Sequence, residues 1–291
     1  MSHFTVMVIG NDPEKQLERY DEKTEVEEYE DGVVSEEDKL QMMNYYAEKG
    51  HKFSSFSECY AYFGEEWNDN SYRKDENGIW HRYSTYNPDS KWDWYVLGGR
   101  WSGKFIRLKP GATSGVSGVG GAFENEVGID AALKSDIDFE AIRQEAEERA
   151  RKYYQEIVDK CGGSIPKLEL HWEIIRDGKE YAHLSIDDKR ALYHSQAAVI
   201  RWKKTGCGDD FFGPQLEDFQ CTEEEFINRK LLNTFIPYAF VKDGEWYASG
   251  DMGWWGISSN ELPEQEWQNK VWEMLTNLPD DTFISFYDCH I

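Results

Sequence analysis

Apolar runs at the two ends of the chain predict two buried strands. His3–Ile9 reads His-Phe-Thr-Val-Met-Val-Ile, and β-branched residues of this kind are typical of buried strands. Thr282–Cys289 is similarly apolar and predicts a central strand that pairs near the first one. We therefore expect the two chain ends to close a single body.

Two-residue turn signals between plausible strands predict four β-hairpins. The signals are Asn77-Gly78, Gly98-Gly99, Asp177-Gly178 and Asp243-Gly244. Each combines residues that tolerate a positive φ, as the tight hairpin turns require.

The Gly98-Gly99 turn implies a definite register. It gives one face that is mainly apolar, made of Trp92, Trp94, Val96, Trp101 and Phe105. Tyr95 and Arg100 fall on the opposite face, directed to solvent. Tyr and Arg are favoured at the energetic centres of interfaces. We therefore interpret these two residues as candidates for partner binding.

Helical periodicity dominates the middle of the chain. From Ser135 to Cys161, apolar residues recur every three or four positions and predict a long amphipathic helix that ends at Gly162-Gly163. A helix capped at Ser185 and a capping box at Thr222-x-x-Glu225 follow. Residues 263–277 predict another helix.

These patterns predict an α+β fold with a mixed or antiparallel sheet, several hairpins, packed helices and a helix-rich inserted arm. Residues 1–110 form the N-terminal part of the body, and residues 111–122 form a Gly-rich linker. Residues 123–234 form the helix-rich middle segment. Residues 235–291 form the C-terminal part of the body.

The charge of the chain narrows the classes of partner. There are 32 Lys and Arg against 56 Asp and Glu, a formal net charge of −24. Such a chain repels phosphate backbones, so direct binding of nucleic acid is not expected, whereas a basic protein surface would attract it. Residues 12–38 are rich in Asp and Glu, and this stretch predicts a solvated helix face with a loop.

The sequence gives no sign of export or membrane insertion. Five widely spaced cysteines without a C-x-x-C motif indicate free thiols in a reducing compartment. No signal peptide is evident, and the apolar runs are too short to cross a bilayer. We expect an intracellular protein.

A search for catalytic chemistry finds no readable motif. The glycine-rich stretch lacks the Lys and Ser/Thr of a phosphate-binding loop, and no nucleophile elbow occurs. His171 and His183 fall on opposite faces of a predicted hairpin, and the adjacent side chains of Cys289 and His290 diverge along a strand. No catalytic residue, metal site or cofactor is predicted, although a site assembled in space stays open.

A tryptophan pair in a glycine-flanked loop is a further candidate for partner binding. Trp254 and Trp255 are adjacent in Met252-Gly-Trp-Trp-Gly256, and two neighbouring rings do not easily both point inward. One of them is therefore a candidate exposed contact.

Three stretches carry a resemblance to a known family. The opening Met1–Gly10, the stretch Trp92–Trp101 and the end Asp288–Ile291 resemble a family of phage and prophage proteins. Within it, the length and acidity are similar to those of phage anti-defence proteins that inhibit the bacterial Gabija system. The resemblance implies a non-enzymatic inhibitor in the host cytoplasm. It would form a homo-oligomer around the Gabija nuclease and its helicase-like subunit and prevent DNA engagement.

Two other functions stay open. One is an enzyme that modifies or hydrolyses a nucleotide signal, which would work at trace amounts. The other is a sponge that binds such a ligand and releases it intact on heating. An inhibitor instead needs stoichiometric amounts and a large interface.

Overall fold

A computed structural model describes residues 2–64, 70–120, 127–207, 213–253 and 257–291. The helices are α1 Pro13–Glu18, α2 Glu36–Glu48, α3 Phe56–Phe63, α4 Phe139–Lys160, α5 Trp172–Asp177, α6 Ile186–Ser195, α7 Ala197–Lys204, α8 Glu223–Leu232 and α9 Glu264–Asn277. The strands are β1 His3–Ile9, β2 Tyr29–Val33, β3 Asn70–Lys74, β4 Trp80–Ser84, β5 Trp94–Leu97, β6 Ala131–Leu133, β7 Ala239–Lys242, β8 Glu245–Ala248, β9 Asp251–Met252, β10 Ser258–Ser259 and β11 Phe283–His290.

A mixed sheet built from both chain ends forms the body. Its strand order is β5-β11-β1-β7-β8, and β6 pairs with the opposite end of β11. β1 and β11 are antiparallel over their whole length, from His3 opposite His290 to Ile9 opposite Ile284, whereas β1 and β7 are parallel. The predicted α+β fold and the predicted pairing of the two terminal strands are confirmed.

Each face of this sheet packs against its own apolar cluster, because side chains alternate along a strand. Met7 and Phe286 face α9, where Trp267, Val271 and Leu275 are buried. The opposite face holds a second cluster around Phe4, Val6, Val8, Leu17, Tyr20, Trp92, Tyr287 and Cys289. The sheet is therefore buried on both sides.

A second, smaller sheet forms what we call the small lobe, made of β2, β3 and β4 with α2 and α3. Its strand order is β2-β4-β3. The predicted hairpin around Asn77-Gly78 joins β3 to β4, but Lys74 pairs with Trp80, so the loop spans residues 75–79 and is not a two-residue turn. Part of the acidic stretch 12–38 supplies β2 and the first turn of α2. Ser35 and Asp38 cap that helix reciprocally.

The helix-rich middle segment contains its own core. α4 ends at Cys161 as expected, but it does not begin at the predicted Ser135, which lies in a 3₁₀ turn, Lys134–Asp136. It begins after Asp138, whose carboxylate accepts a hydrogen bond from the N–H of Ala141 and caps the helix. Its first turns contribute Ile142 to the body cluster, and its later turns contribute Ile157 to a cluster shared with α7 and α8. The helices predicted after Ser185 and Thr222 are confirmed.

The predicted hairpin across Asp177-Gly178 is wrong. The segment instead contains α5 and a 3₁₀ turn, Lys179–Tyr181. Gly178 has an ordinary φ of −65°, and its N–H donates to the carbonyl of Ile174. Local helical hydrogen bonds therefore replace the cross-strand ones, and the predicted placement of His171 and His183 on opposite faces of a hairpin does not apply. The Asp243-Gly244 hairpin, with positive φ at both residues, is confirmed.

The predicted hairpin at Gly98-Gly99 is also wrong. β5 pairs antiparallel with β11, and Gly99–Trp101 forms a 3₁₀ turn instead of a return strand. Trp92 and Trp94 do not share the same burial, because Trp92 is 1% exposed and Trp94 is 39% exposed. β5 therefore pairs with the longer strand β11 of the central sheet, in preference to a return strand formed through the local turn.

The Gly-rich stretch is not a free linker over residues 111–120. Val116 exchanges backbone hydrogen bonds with Ala131, and the N–H of Val119 donates to the carbonyl of Leu97. Gly118 lies so close to β5 that an added Cβ would stand 2.0 Å from the carbonyl oxygen of Leu97. Glycine thus serves close approach to the sheet here, and the division of the chain into domains stays a prediction.

Within the described ranges, no helix is both long enough and apolar enough to cross a membrane.

We predict that Gly118→Ala lowers the free energy of unfolding by about 1–3 kcal/mol, because the new methyl group must displace packed backbone. Gly120→Ala is the matched control, since among the described residues no atom beyond its chain neighbours lies within 4 Å of its Cβ position. Urea unfolding measures both. Equal stability of the two variants would restore the linker interpretation.

The small lobe should lose stability as pH rises through neutrality. The carboxylate of Glu30, 2.6 Å from Nδ1 of His81, raises the pKa of that histidine. A raised pKa means stabilisation that is complete below the unfolded-state pKa of about 6.5 and is lost as pH rises through the folded-state value. We expect amide exchange of β4, corrected for its intrinsic pH dependence, to accelerate above neutral pH. His81→Gln should abolish that increase.

Candidate functional site

Two histidines, each bonded to a carboxylate, lie side by side at the edge of the central sheet. Nδ1 of His3 is 2.8 Å from Oδ1 of Asp288, and Nδ1 of His290 is 2.6 Å from Oδ1 of Asp93. The two imidazole centroids are 5.0 Å apart. An ionised carboxylate only accepts hydrogen bonds, so each Nδ1 is the donor and Nε2 is the nitrogen left for a ligand.

The strand register places these groups on one face. His3 is directly opposite His290, and Thr5 is opposite Asp288, in the antiparallel β1–β11 pair. His290 is in turn opposite Trp94 of β5, and the rings of these two residues stack at 5.8 Å. Further along the same face lie the core residues Met7 and Phe286. The site is therefore the polar end of the face that packs against α9.

Gly98 and Gly99 bring the backbone onto two buried carboxylates. Both glycines have positive φ, at 78° and 54°. A Cβ on Gly99 would lie 2.4 Å from Cβ of Asp288, and one on Gly98 would lie 2.5 Å from Oδ2 of Asp130. The next residue, Arg100, donates its backbone N–H to Oδ2 of Asp288 at 2.8 Å. Glycine is therefore required at these two positions because the carboxylates lie close to the backbone, and not because a hairpin turn forms there.

Asp130 fixes this loop from the other side. Its carboxylate is 2% exposed and accepts the hydroxyl of Ser102 at 2.8 Å and the N–H groups of Gly103 and Gly118, both at 2.7 Å. A buried charge needs such donors to offset its lost hydration. Asp130 therefore joins the 98–103 loop to the glycine-rich stretch.

A cavity of about 450 Å³, which we call the His3 cavity, opens beside His3 where α4 leaves the body. Its lining comes from β1, the loop after β5, α4 and the segment before β7. The lining residues that carry charge or polar groups include His3, Thr5, Lys104, Arg107, Glu145, Arg149 and Tyr238. Trp101, Phe105 and Met252 are among its apolar residues.

The described lining of the His3 cavity includes three basic side chains. They are Lys104, Arg107 and Arg149, and among the described lining residues the carboxylate is that of Glu145, which lies 2.9 Å from the guanidinium of Arg107. Arg107 also donates to the carbonyl of Gly103 at 2.8 Å, so its position is fixed.

A groove of about 790 Å³ in the helix-rich segment differs in charge. Three arginines line it, Arg176, Arg190 and Arg229, and three carboxylates, Glu173, Glu217 and Asp218, match them. Burial, joined by a hydrogen bond to Glu217, raises the pKa of Tyr193, and burial lowers the pKa of His194. Both groups are thereby favoured in their neutral forms, so this groove does not concentrate charge of one sign.

The cysteine beside the histidine pair is not a nucleophile. Cys289 is wholly buried, and burial raises the pKa of its thiol well above the ordinary value. Burial also raises the pKa of the neighbouring Tyr287 to about 12. Because the thiolate is the reactive form, the buried Cys289 is a packing residue.

The four residues predicted to bind a partner have different environments. Tyr95 is half-buried and packs edge-on against Trp92 and Tyr287. Arg100 is exposed, and its backbone N–H donates to Asp288, the carboxylate that is bonded to His3. Trp254 and Trp255 lie outside the described residues. The role of all four in partner binding stays a prediction.

The most acidic region of the described surface precedes and enters the small lobe. We define the acidic surface as the exposed residues Glu25, Glu27, Glu28, Glu30, Asp31, Glu36, Glu37 and Asp38. Some are paired, such as Glu28 with Arg73 at 2.6 Å. Glu25 and Glu27 have no ion-pair partner within the part of the chain that the structure describes. Exposed apolar side chains, including Tyr62 at 66% and Val33 at 61%, lie on the same lobe.

Among the described residues, no group of three or more His, Cys, Asp or Glu side chains is arranged to hold a metal ion. No protein-family model, curated protein or solved structure matches this chain. The site must therefore be interpreted from its own geometry.

The histidine pair was not predicted from the sequence, where His290 was considered only together with Cys289. The expected pairing of the terminal strands was the available signal, because antiparallel strands of similar length bring the chain ends together. What it lacked was the register, which a shift of one residue would reverse. The contacts of His3 and His290 with carboxylates depend on that register.

We predict that Asp130→Ala lowers the free energy of unfolding by about 3 kcal/mol or more, because it leaves buried N–H donors without an acceptor. Asp251→Ala is the control, since that exposed carboxylate accepts a side-chain hydrogen bond from Asn260 at the surface. Thermal and urea unfolding measure the difference. A loss no greater than that of the control would contradict the role of Asp130.

Proposed function

We propose that this chain is a phage-encoded, non-enzymatic inhibitor that binds a bacterial defence complex of the Gabija type and blocks its engagement of DNA. It acts in the host cytoplasm, as a homo-oligomer, on the nuclease and its helicase-like subunit. The observation that carries the proposal is the excess of acidic residues, −24 in formal charge, combined with an exposed acidic surface. The resemblance of the terminal stretches to phage proteins supports it.

The physical basis is electrostatic complementarity. A surface that holds DNA is basic, and its field attracts an acidic protein over distances comparable to the Debye length, about 8–10 Å at physiological salt. Such attraction accelerates encounter and orients the partners, while apolar contacts slow dissociation. Exposed Val33 belongs to the same stretch of chain as the acidic surface, and exposed Tyr62 belongs to the same small lobe.

Affinity purification from bacteria that carry Gabija tests the proposal directly. The tagged chain is captured from nuclease-treated lysate, and the eluate is sized and its subunits quantified. Co-elution of both Gabija subunits in one large complex of fixed stoichiometry is the expected result. A homogeneous monomer or homo-oligomer without either subunit would overturn it.

We predict that Glu25→Lys with Glu27→Lys weakens capture of the complex by about tenfold or more, mainly through slower association. Glu266→Lys with Glu273→Lys is the matched control, because it changes the net charge equally at exposed positions of α9. Association rates are measured at two salt concentrations. Equal loss in both variants would indicate attraction by net charge alone and would contradict a defined acidic interface.

A further inference from the structure

We propose that His3 and His290 together bind one divalent transition-metal cation, with zinc as the ion that the site suits, and that the bound ion links the first strand of the chain to the last. This inference is independent of the inhibitor function, because it concerns the two ends of the sheet and not the acidic surface. It rests on the strand register, the spacing of the two rings and the nitrogen atoms that the carboxylates leave free.

The strand register makes the two histidines close neighbours. Ser2 and Ile291 exchange both of their backbone hydrogen bonds, at 3.2 and 3.1 Å. The adjacent pair, His3 opposite His290, is therefore a pair without mutual backbone bonds, in which the side chains of antiparallel strands approach most closely. Both imidazoles consequently lie on one face of the sheet.

The spacing of the two rings fits one shared ion. In a tetrahedral complex with Zn–N distances of about 2.0–2.1 Å, each imidazole centroid lies about 3.2 Å from the metal, and two such centroids lie about 5.2 Å apart. The centroids of His3 and His290 are 5.0 Å apart, with ring planes inclined by 71°. The pair therefore already has the separation that a shared ion requires.

The carboxylates leave one nitrogen of each ring for a ligand. Nδ1 of His3 is bonded to Asp288. Nδ1 of His290 is bonded in the same way to Asp93. Neither Nε2 makes a hydrogen bond within the described residues, and neither is among the buried side-chain nitrogens there that lack a partner. Both Nε2 atoms are therefore open to solvent and to an ion.

The chemistry of the pair is that of metal-binding histidines. A carboxylate on the second ring nitrogen is a usual outer contact of such histidines, because it fixes the tautomer and makes the ligand nitrogen more basic. Neutral imidazole prefers zinc, copper and nickel, whereas magnesium and calcium prefer oxygen ligands. The pair supplies two protein ligands, and water completes the coordination.

An ion held in this way stabilises the closure of the body. His3 belongs to β1 and His290 to β11, so the two ligands meet only when the terminal strands are paired. A ligand that binds the folded state in preference to the unfolded state stabilises the fold by mass action. Zinc should therefore raise the midpoint of thermal unfolding, which gives a second readout besides binding.

Isothermal titration calorimetry of the purified full chain with zinc tests the proposal. The buffer contains a large excess of magnesium, which competes for surface carboxylates but not for imidazole. We expect one zinc ion per chain and a higher midpoint of thermal unfolding in its presence. No saturable binding at millimolar zinc would overturn the proposal, and so would binding that magnesium abolishes.

Three variants place the ion on the histidine pair. His3→Asn and His290→Asn each remove Nε2 and retain an amide donor near the position of Nδ1. Each should weaken zinc binding by more than about tenfold, since loss of an outer contact alone costs roughly 10–100-fold. Asp93→Ala keeps both ligands and should weaken binding by about tenfold for that reason. Thermal unfolding without zinc confirms that each variant is folded.

The matched control is His183→Asn, which removes an exposed imidazole elsewhere and should bind zinc as the unmodified chain does. Equal weakening by this control would assign the effect to histidine content in general and would overturn the shared site. Loss of binding in only one of His3→Asn and His290→Asn would place the ion on a single histidine and would also overturn it.

The unmodified chain allows a check that needs no variant. In imidazole ¹⁵N spectra, zinc should shift two of the seven histidines. A shift of one histidine, or of all of them, would contradict a two-imidazole site. The outcome does not depend on capture of Gabija, so failure of either proposal leaves the other to be judged by its own measurement.

Discussion

The antiparallel pairing of β1 with β11 is the constraint on which the rest of the body depends. Seven residue pairs join the first strand of the chain to the last. These two strands contribute to both apolar clusters of the sheet, and their polar ends create the histidine pair. Because the contact spans almost the whole sequence, it carries a high entropic cost of closure. Burial on both faces of the sheet offsets that cost.

Two buried carboxylates organise the loop that follows β5. Asp288 belongs to the central strand, and Asp130 to the segment before β6, yet they approach the backbone at the adjacent residues Gly98 and Gly99. Each carboxylate is satisfied by oriented donors rather than by a full ionic partner. One of them, Asp288, also fixes His3. The same interactions that hold the loop therefore set the geometry of the cavity.

The electrostatic character of the molecule differs between its outer surface and the His3 cavity. The acidic surface near the small lobe supports the proposed function, whereas the described lining of the His3 cavity includes Lys104, Arg107 and Arg149. A small cavity is separated from surface charges by low-dielectric protein and limited screening, so its local potential need not follow the net charge.

The sequence by itself determined the elements whose signals are local. The apolar run His3–Ile9, the 3.6-residue periodicity of α4 and the capping box at Thr222 each depend on neighbours within a few residues, and each is present in the structure. The Asp243-Gly244 turn belongs to the same class. For these elements, hydrogen bonding and burial favour one local conformation.

Only the tertiary structure decided the features that depend on distant partners. Gly98-Gly99 has the composition of a hairpin turn, but the unpaired edge of β11 offered β5 a better partner, and the glycines were needed against Asp130 and Asp288. The His3 cavity likewise joins residues from β1, α4 and the segment before β7. Side chains so far apart in the chain share no periodicity or spacing, because their contacts arise from strand register and packing that local patterns do not encode.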